Sequence, residues 1–295
     1  MLWHVSTGTI IDMTTYVLPF EKMHGLGNDF IVLERRHLPN GVDENALAKL
    51  LCDRHFSIGA DGIIVVDSSP SRDVDFVWSS YNSDGFEAEM CGNGMRRFAK
   101  YFFERGFIDE VSFAVLTKAG IIKPTIEQDG TVTVNMGVPV ILDKLKEKII
   151  VDSKELTFTY VEIGNPHCVI FLDHYINDSD FLNYGPKIEK HNKFPKGVNV
   201  EFVNVIKKNE LKVRVWERGC GPTLAYGTGA CATLVAANIN NLCDDCALVY
   251  LPGGCLKIQW DKNSNNVFLN GPAAFLYTGQ LNLEPKSVCK TISIK

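Results

Sequence analysis

The chain has 295 residues, of which 45% are apolar and 22% charged, with 30 basic against 35 acidic side chains and a formal net charge of −5. That length exceeds one compact core and implies two domains of similar size. An acidic balance with no basic block excludes nucleic acid and anionic membrane as partners, because binding to phosphates needs clustered positive charge. No apolar run approaches the ~20 residues of a bilayer span, and the N-terminus lacks the basic region of a signal peptide. Nine cysteines, an odd number scattered through the chain, fit reduced thiols better than a disulfide framework. Together these features predict a cytoplasmic protein.

Residues 1–12 show no period and are expected to form a disordered extension. From Met13 the sequence alternates like an edge strand. An acidic first turn opens a predicted helix over 43–54, followed by β-branched runs at 63–66 and 76–78. A Gly-rich loop then precedes a predicted helix over 93–105, with strands at 111–117 and 131–136. A second set of strands follows at 158–163, 168–172, 200–206 and 211–216. Another Gly-rich loop leads to a helix over 228–242, then strands at 247–251 and 256–260. Several strands per helix indicate an α+β fold. The expected domains are 13–140, whose last strand is placed to cross over, and 141–285, with a tail at 286–295.

An internal repeat organises these elements. Gly27-Asn28-Asp29-Phe30 resembles Gly164-Asn165-Pro166-His167, and Gly59-Ala60-Asp61-Gly62 matches Lys196-Gly197-Val198-Asn199, both at an offset of 137. Cys91-Gly92-Asn93-Gly94 answers Tyr226-Gly227-Thr228-Gly229 at 135, and Gly120 and Gly137 answer Gly254 and Gly271 at 134. Matches in the same order at a nearly constant offset define two copies of one α+β unit, with a boundary near 139–145.

Each copy carries one residue, then Gly-x-Gly, then a helix. Outward amides and the positive end of a helix make a carboxylate site, and the same field favours the thiolate of Cys91. Two such loops facing each other would hold one carboxylate and set Cys91 and Tyr226 on opposite sides of the adjacent carbon. Inversion by proton transfer requires that opposition, since one face loses a proton and the other gains one. Asn28, Asn82, Asn165 and Asn199 are amides near glycines, able to donate to a carboxylate and accept from an ammonium. Glu217 and Arg218 offer an acceptor and a fork beside the second loop. Cys52, Cys168, Cys231, Cys243, Cys246, Cys255 and Cys289 are expected to be inert packing groups. The spacing of Cys243 and Cys246 suits a metal, but no second pair accompanies it, so no metal site is expected. His167 could assist proton transfer, but a lone histidine beside a strand is expected to be a satisfied core residue.

At these residues the sequence resembles the diaminopimelate epimerase family. The motifs are Met23-His-Gly-Leu-Gly-Asn-Asp-Phe30, Ile58-Gly-Ala-Asp-Gly62, Tyr81-Asn-Ser-Asp-Gly85, Met90-Cys-Gly-Asn-Gly94, Gly164-Asn-Pro-His167, Gly197-Val-Asn-Val-Glu-Phe202, Glu217-Arg-Gly219 and Pro252-Gly-Gly254. The resemblance implies two pseudo-symmetric domains, each a mixed sheet around a central helix, with diaminopimelate in the cleft between them. It implies interconversion of the LL and meso forms without a cofactor, Cys91 as one of two acid/base groups, and a homodimer. The reactive carboxylate would rest on the amides around Gly92, Asn93, Gly227 and Thr228. Asn28, Asn82, Asn165, Asn199, Glu217 and Arg218 would hold the rest of the substrate. The family's second motif reads Ala-Cys-Gly-Thr-Gly, whereas Tyr226 stands here in place of the second thiol. A phenol has a reference pKa of ~10 against ~8.5 for a thiol and reaches further into the cleft. Three readings follow: an epimerase weakened by Tyr226, an inactive homologue that binds diaminopimelate or another amino acid, and a racemase or isomerase of another amino acid.

Overall fold

The computed structural model describes residues 16–69, 71, 73–88, 92–141 and 146–283. The expected extension at 1–12, the tail at 286–295, Cys91, Cys289 and residues 142–145 of the expected boundary lie outside them. Two mixed sheets carry the chain. The first has eight strands, in the order Ala274–Leu283, Tyr16–Gly25, Asn28–Glu34, Gly62–Ser68, Phe76–Asn82, Val115–Thr117, Gly120–Ile122, with Glu87–Ala88 attached to Phe76–Asn82. The second has twelve. Its path runs Val140–Ile141, Lys154–Ile163, Asn165–Leu172, Asn199–Lys207, Glu210–Glu217, Cys246–Leu251, Gly254–Trp260, Val267–Gly271, Val132–Asn135, Thr125–Ile126. Glu147–Val151 and Gly221–Thr223 are attached at its side.

Among the described residues four α-helices accompany the sheets: α1 (Glu44–Cys52), α2 (Gly92–Glu104), α3 (Asp178–Glu189) and α4 (Gly227–Ile239). α1 links the parallel strands Asn28–Glu34 and Gly62–Ser68, and α3 links the parallel strands Asn165–Leu172 and Asn199–Lys207. In the first pair Phe30 stands opposite Gly62, and in the second His167 stands opposite Asn199. The register thus reproduces the 137-residue offset residue for residue. α2 and α4 begin 135 residues apart, as the Gly-x-Gly loops do.

Three predicted helices are present. α1 is capped by Asp43, whose carboxylate accepts from the Asn45 amide at 3.1 Å. The fourth helix, α3, escapes periodicity because Gly185 and Pro186 interrupt it. It forms because Asn177 caps it, accepting from the Asp180 amide at 2.9 Å. Gly185 also lets it press on Trp216, where a Cβ would come within 2.5 Å of the indole. The strand from Tyr16 is not an edge, contrary to the alternation-based expectation. It lies between Asn28–Glu34 and Ala274–Leu283, because the last strand of the chain crosses back to it. Val140–Ile141 makes the reciprocal crossing onto Lys154–Ile163.

One core holds α2 and α4 together. Met95, Phe98 and Phe102 of α2 and Ala230, Leu234 and Val235 of α4 share it with the inner faces of both sheets. α4 is apolar all round because the second sheet curls about it, the pattern of a helix with no solvent face. Separate clusters under α1 and α3 cover the outer faces. Among the described residues no helix is long and apolar enough to cross a membrane.

The two halves meet backbone to backbone at Gly253, where a Cβ would collide with the carbonyl oxygens of Leu26 and Leu224. Gly253→Ala should therefore destabilise the protein by about 3 kcal/mol, the upper range of overpacking costs. Urea denaturation would read this as a lower midpoint with an unchanged slope.

Candidate active site

Tyr226 is the N-cap of α4, with extended backbone (φ −138°, ψ 109°) and no side-chain capping bond. The first turn of α4, Gly227, Thr228 and Gly229, therefore offers its amides and positive dipole end to an anion. A cavity of about 660 Å³ opens here, with Lys123, Asn135, Met136, Gly164, Asn165 and Thr228 in its wall. The opening residue of α2 adjoins it, since a Cβ on Gly92 would lie 2.9 Å from the sulfur and methyl of Met136. Asn93 follows in the first turn of α2. The start of α2 thus packs against Met136 in the wall of the cavity that Thr228, at the start of α4, also lines. Cys91, the remaining member of the expected pair, lies outside the described residues.

The Tyr226 hydroxyl accepts a hydrogen bond from Asn165 Nδ2 at 2.7 Å. Burial and the neighbouring Glu217 carboxylate push its pKa above the ordinary phenol value, against hydrogen bonds from Thr228 and Asn165. The phenol is consequently neutral across the physiological range. Behind it lies His167, whose ring centroid is 5.9 Å from that of Tyr226. His167 is fully buried, but the expectation of a satisfied core histidine is corrected on one point. Nδ1 meets Glu201 Oε1 at 2.7 Å, whereas Nε2 has no partner among the described residues.

A second group of expected residues lines the ends of the paired strands. Asn28 is spent within the protein, its Nδ2 donating to Asp61 at 2.9 Å and its Oδ1 accepting from Arg97 Nη2 at 3.0 Å. Asn199 is buried and donates to the Pro166 carbonyl at 2.9 Å while accepting from the Arg218 amide at 2.9 Å. It fixes the turn that presents Glu217 and Arg218. Asn82 is exposed at the end of its strand, and Arg218 is exposed, donating to the Lys196 carbonyl at 3.2 Å. Asn165 alone of the four amides lies in the cavity wall, with Oδ1 unpartnered among the described residues.

Glu217 feels burial first and then the Asp61 carboxylate, which together push its pKa up to about 7, while a hydrogen bond from the Cys220 thiol opposes them. Cys220, an exposed thiol, is itself pushed up to about 11 by partial burial and by Glu217. It is therefore a donor to that carboxylate and not a thiolate. Cys231 is buried, with its pKa raised by desolvation. Cys52, Cys168 and Cys243 are likewise buried, whereas Cys246 and Cys255 are half-exposed.

Several charged residues that hold the expected site residues were not singled out by motif. Arg97, completely buried on α2, lies 4.6 Å over the Phe30 ring while it holds Asn28; such a desolvated cation–π contact is worth about 2 kcal/mol. Asp61 ties Asn28 to Arg54, which donates to both Asp61 at 2.8 Å and Asp29 at 2.7 Å. Burial of Asp29 is outweighed by hydrogen bonds from Arg54 and Lys22, which hold its carboxyl well below the usual range. The available signal was a charge inside an apolar run: Arg96-Arg97 between Met95 and Phe98, and Glu201 between Val200 and Phe202.

The architecture is shared with solved structures of an epimerase and of a PhzF-family protein. A hydroxyproline epimerase from Agrobacterium vitis superposes with a TM-score of 0.71 at 15% identity, covering 92% of this chain and 94% of that one. A PhzF-family phenazine biosynthesis protein of Bacillus anthracis gives 0.70 at 14% identity, covering 90% and 99%. Such identities establish shared architecture alone. The sequence goes further: the profile of the family described as diaminopimelate epimerase matches residues 20–142 and 159–276. The diaminopimelate epimerase of Desulforapulum autotrophicum is 45% identical over 284 residues, spanning 90% of this chain and 99% of its own. That of Heliobacterium modesticaldum is 42% identical, spanning 90% and 100%. The chain belongs to the diaminopimelate epimerase family.

Glu217 gives a pH prediction. Its folded pKa of about 7 exceeds the ordinary 4.5, so the fold binds this proton more tightly than the unfolded chain does. Stability is then highest with Glu217 protonated, and falls as pH rises from about 4.5 to about 7. Glu217→Gln should flatten the dependence of the denaturation midpoint on pH across that window. A slope unchanged by the substitution would show that other groups set it.

Proposed function

We propose that the protein interconverts LL- and meso-diaminopimelate by moving the α-proton between two faces of one carbon, Cys91 serving one face and Tyr226 the other. The observation that supports this reading is that α2 begins against Met136, in the wall of the cavity that Thr228 at the start of α4 lines; a carboxylate bound between the two helix starts would have its α-carbon flanked by residues 91 and 226. The helix ends would also stabilise the enolate-like charge that develops on that carboxylate when the proton leaves. Asn165 would meet the substrate from the cavity wall. Asn82, Glu217 and Arg218 are assigned to the distal amino and carboxylate groups, with Asn28 and Asn199 holding these elements in place. No cofactor is invoked, and a cytoplasmic setting and a homodimer go with the reading.

Tyr226 sets the rate. A phenol whose pKa is raised by burial gives a proton readily only to a strong base and is scarcely ever the phenolate that could take one. It is also several ångströms longer than a thiol, and reacting groups tolerate little displacement. Tyr226→Cys should raise kcat for epimerisation by about 100-fold or more, the scale of one well-placed acid/base group. An unchanged rate would mean that Tyr226 neither blocks nor weakens that face.

Deuterated water distinguishes the competing readings. An epimerase incorporates α-deuterium starting from either isomer, and Cys91→Ala should abolish the incorporation. Calorimetric binding of diaminopimelate without exchange would indicate a non-catalytic binding protein. Exchange confined to another amino acid would indicate a racemase or isomerase of changed substrate.

A further inference from the structure

His167 and Glu201 stand on neighbouring parallel strands and point to the same side, toward α4, together with Val169 and Val203. Both side chains are completely buried and 2.7 Å apart. The repeat supplies a built-in control for what packing alone would place there. At the offset of 137 the corresponding residues of the first half are Phe30 and Ile64, both buried in the same core. An apolar pair therefore satisfies this position of the fold. The polar pair also carries a cost that packing does not require, since Glu201 Oε2 and His167 Nε2 have no partner among the described residues, and buried polar atoms without partners are unfavourable.

The pair is found only in the half that carries Tyr226, and it sits directly beneath that residue. The His167 ring adjoins the Tyr226 ring. Glu201 Oε1 occupies the space that a Cβ on Gly229 would need, at 2.8 Å. The carboxylate thereby lies at the first turn of α4, where the positive end of the helix favours its charge. A carboxylate that accepts one ring N–H of a histidine determines which nitrogen keeps the lone pair.

We propose that Glu201 is a positioning residue. By accepting a hydrogen bond from Nδ1–H of His167 it holds the imidazole as the Nδ1–H tautomer and keeps Nε2 as a proton acceptor beside the Tyr226 ring. When Nε2 takes a proton, the resulting imidazolium stays paired with the carboxylate, and the same proton is later returned, so nothing is consumed. The kinetic consequence rests on the epimerase reading; the tautomer does not.

Nitrogen-15 spectra of the full-length, histidine-labelled protein test this directly. The wild type should show His167 protonated at Nδ1 and bare at Nε2. Glu201→Ile, which installs the residue type of the first half, should fold with a Tm within a few degrees of wild type, shift His167 toward the Nε2–H tautomer, and lower kcat about 100-fold with KM changed less than about twofold. Glu201→Gln keeps an acceptor oxygen and should restore the tautomer and part of kcat. A wild-type His167 protonated at Nε2 would overturn the proposal whether or not the variants fold. So would an isoleucine variant that kept both the tautomer and kcat. Wild-type protein without epimerase activity would refute the function proposed above and leave the tautomer measurement to decide this one.

Discussion

Val134 stands opposite Leu269, and Asn135 stands opposite Phe268, in an antiparallel pair formed by equivalent strands of the two halves. At the local offset of 134, Val134 corresponds to Phe268 and Asn135 to Leu269. Exchanging the halves therefore maps this pair of strands onto itself, and a local twofold axis passes through it. This pairing fixes how the copies face each other. Helices α2 and α4, which begin 135 residues apart, are packed in a single core around that axis. The crossing of Val140–Ile141 into the second sheet and of Ala274–Leu283 into the first locks the arrangement. Neither sheet is complete without a strand of the other half.

The symmetry of the backbone makes the asymmetry of the buried charges informative. Arg96 and Arg97 on α2 correspond, at the offset of 135, to Cys231 and Ala232 on α4. His167 and Glu201 correspond to Phe30 and Ile64. Each half thus keeps an apolar set where its counterpart buries charge, although the two share nearly the same strand register. Packing alone would not select charge at either place, because dehydrating it is expensive. The first half uses its arginine to hold the amide of Asn28. The second places an acid–imidazole pair under the helix start that Tyr226 caps.

Many strands were legible along the chain as period-two runs bounded by turn residues, and the paired loops were legible because Gly-x-Gly repeats at a fixed interval. α3 was not, since Pro186 and Gly185 erase its period, and what sustains it is a cap at Asn177 and contact with Trp216. The place of the Tyr16–Gly25 strand inside its sheet was hidden for a different reason: its outer partner comes from residues 274–283. In the site, Tyr226 and Asn165 could be singled out one by one, but their hydrogen bond could not. Nor could the sequence tell that the amides of Asn28 and Asn199 are already engaged.

By itself the sequence determined the duplicated α+β unit and the two Gly-x-Gly helix starts, one of them preceded by Tyr226. These are local properties, set by residue type, spacing and backbone preference. Only the tertiary structure decided which strands cross between the sheets, that the start of α2 packs on a wall residue of the cavity at the start of α4, and that His167 is paired with Glu201 and not merely packed. Those outcomes depend on contacts between residues far apart in the chain, whose energies arise from mutual burial and are absent from either segment alone.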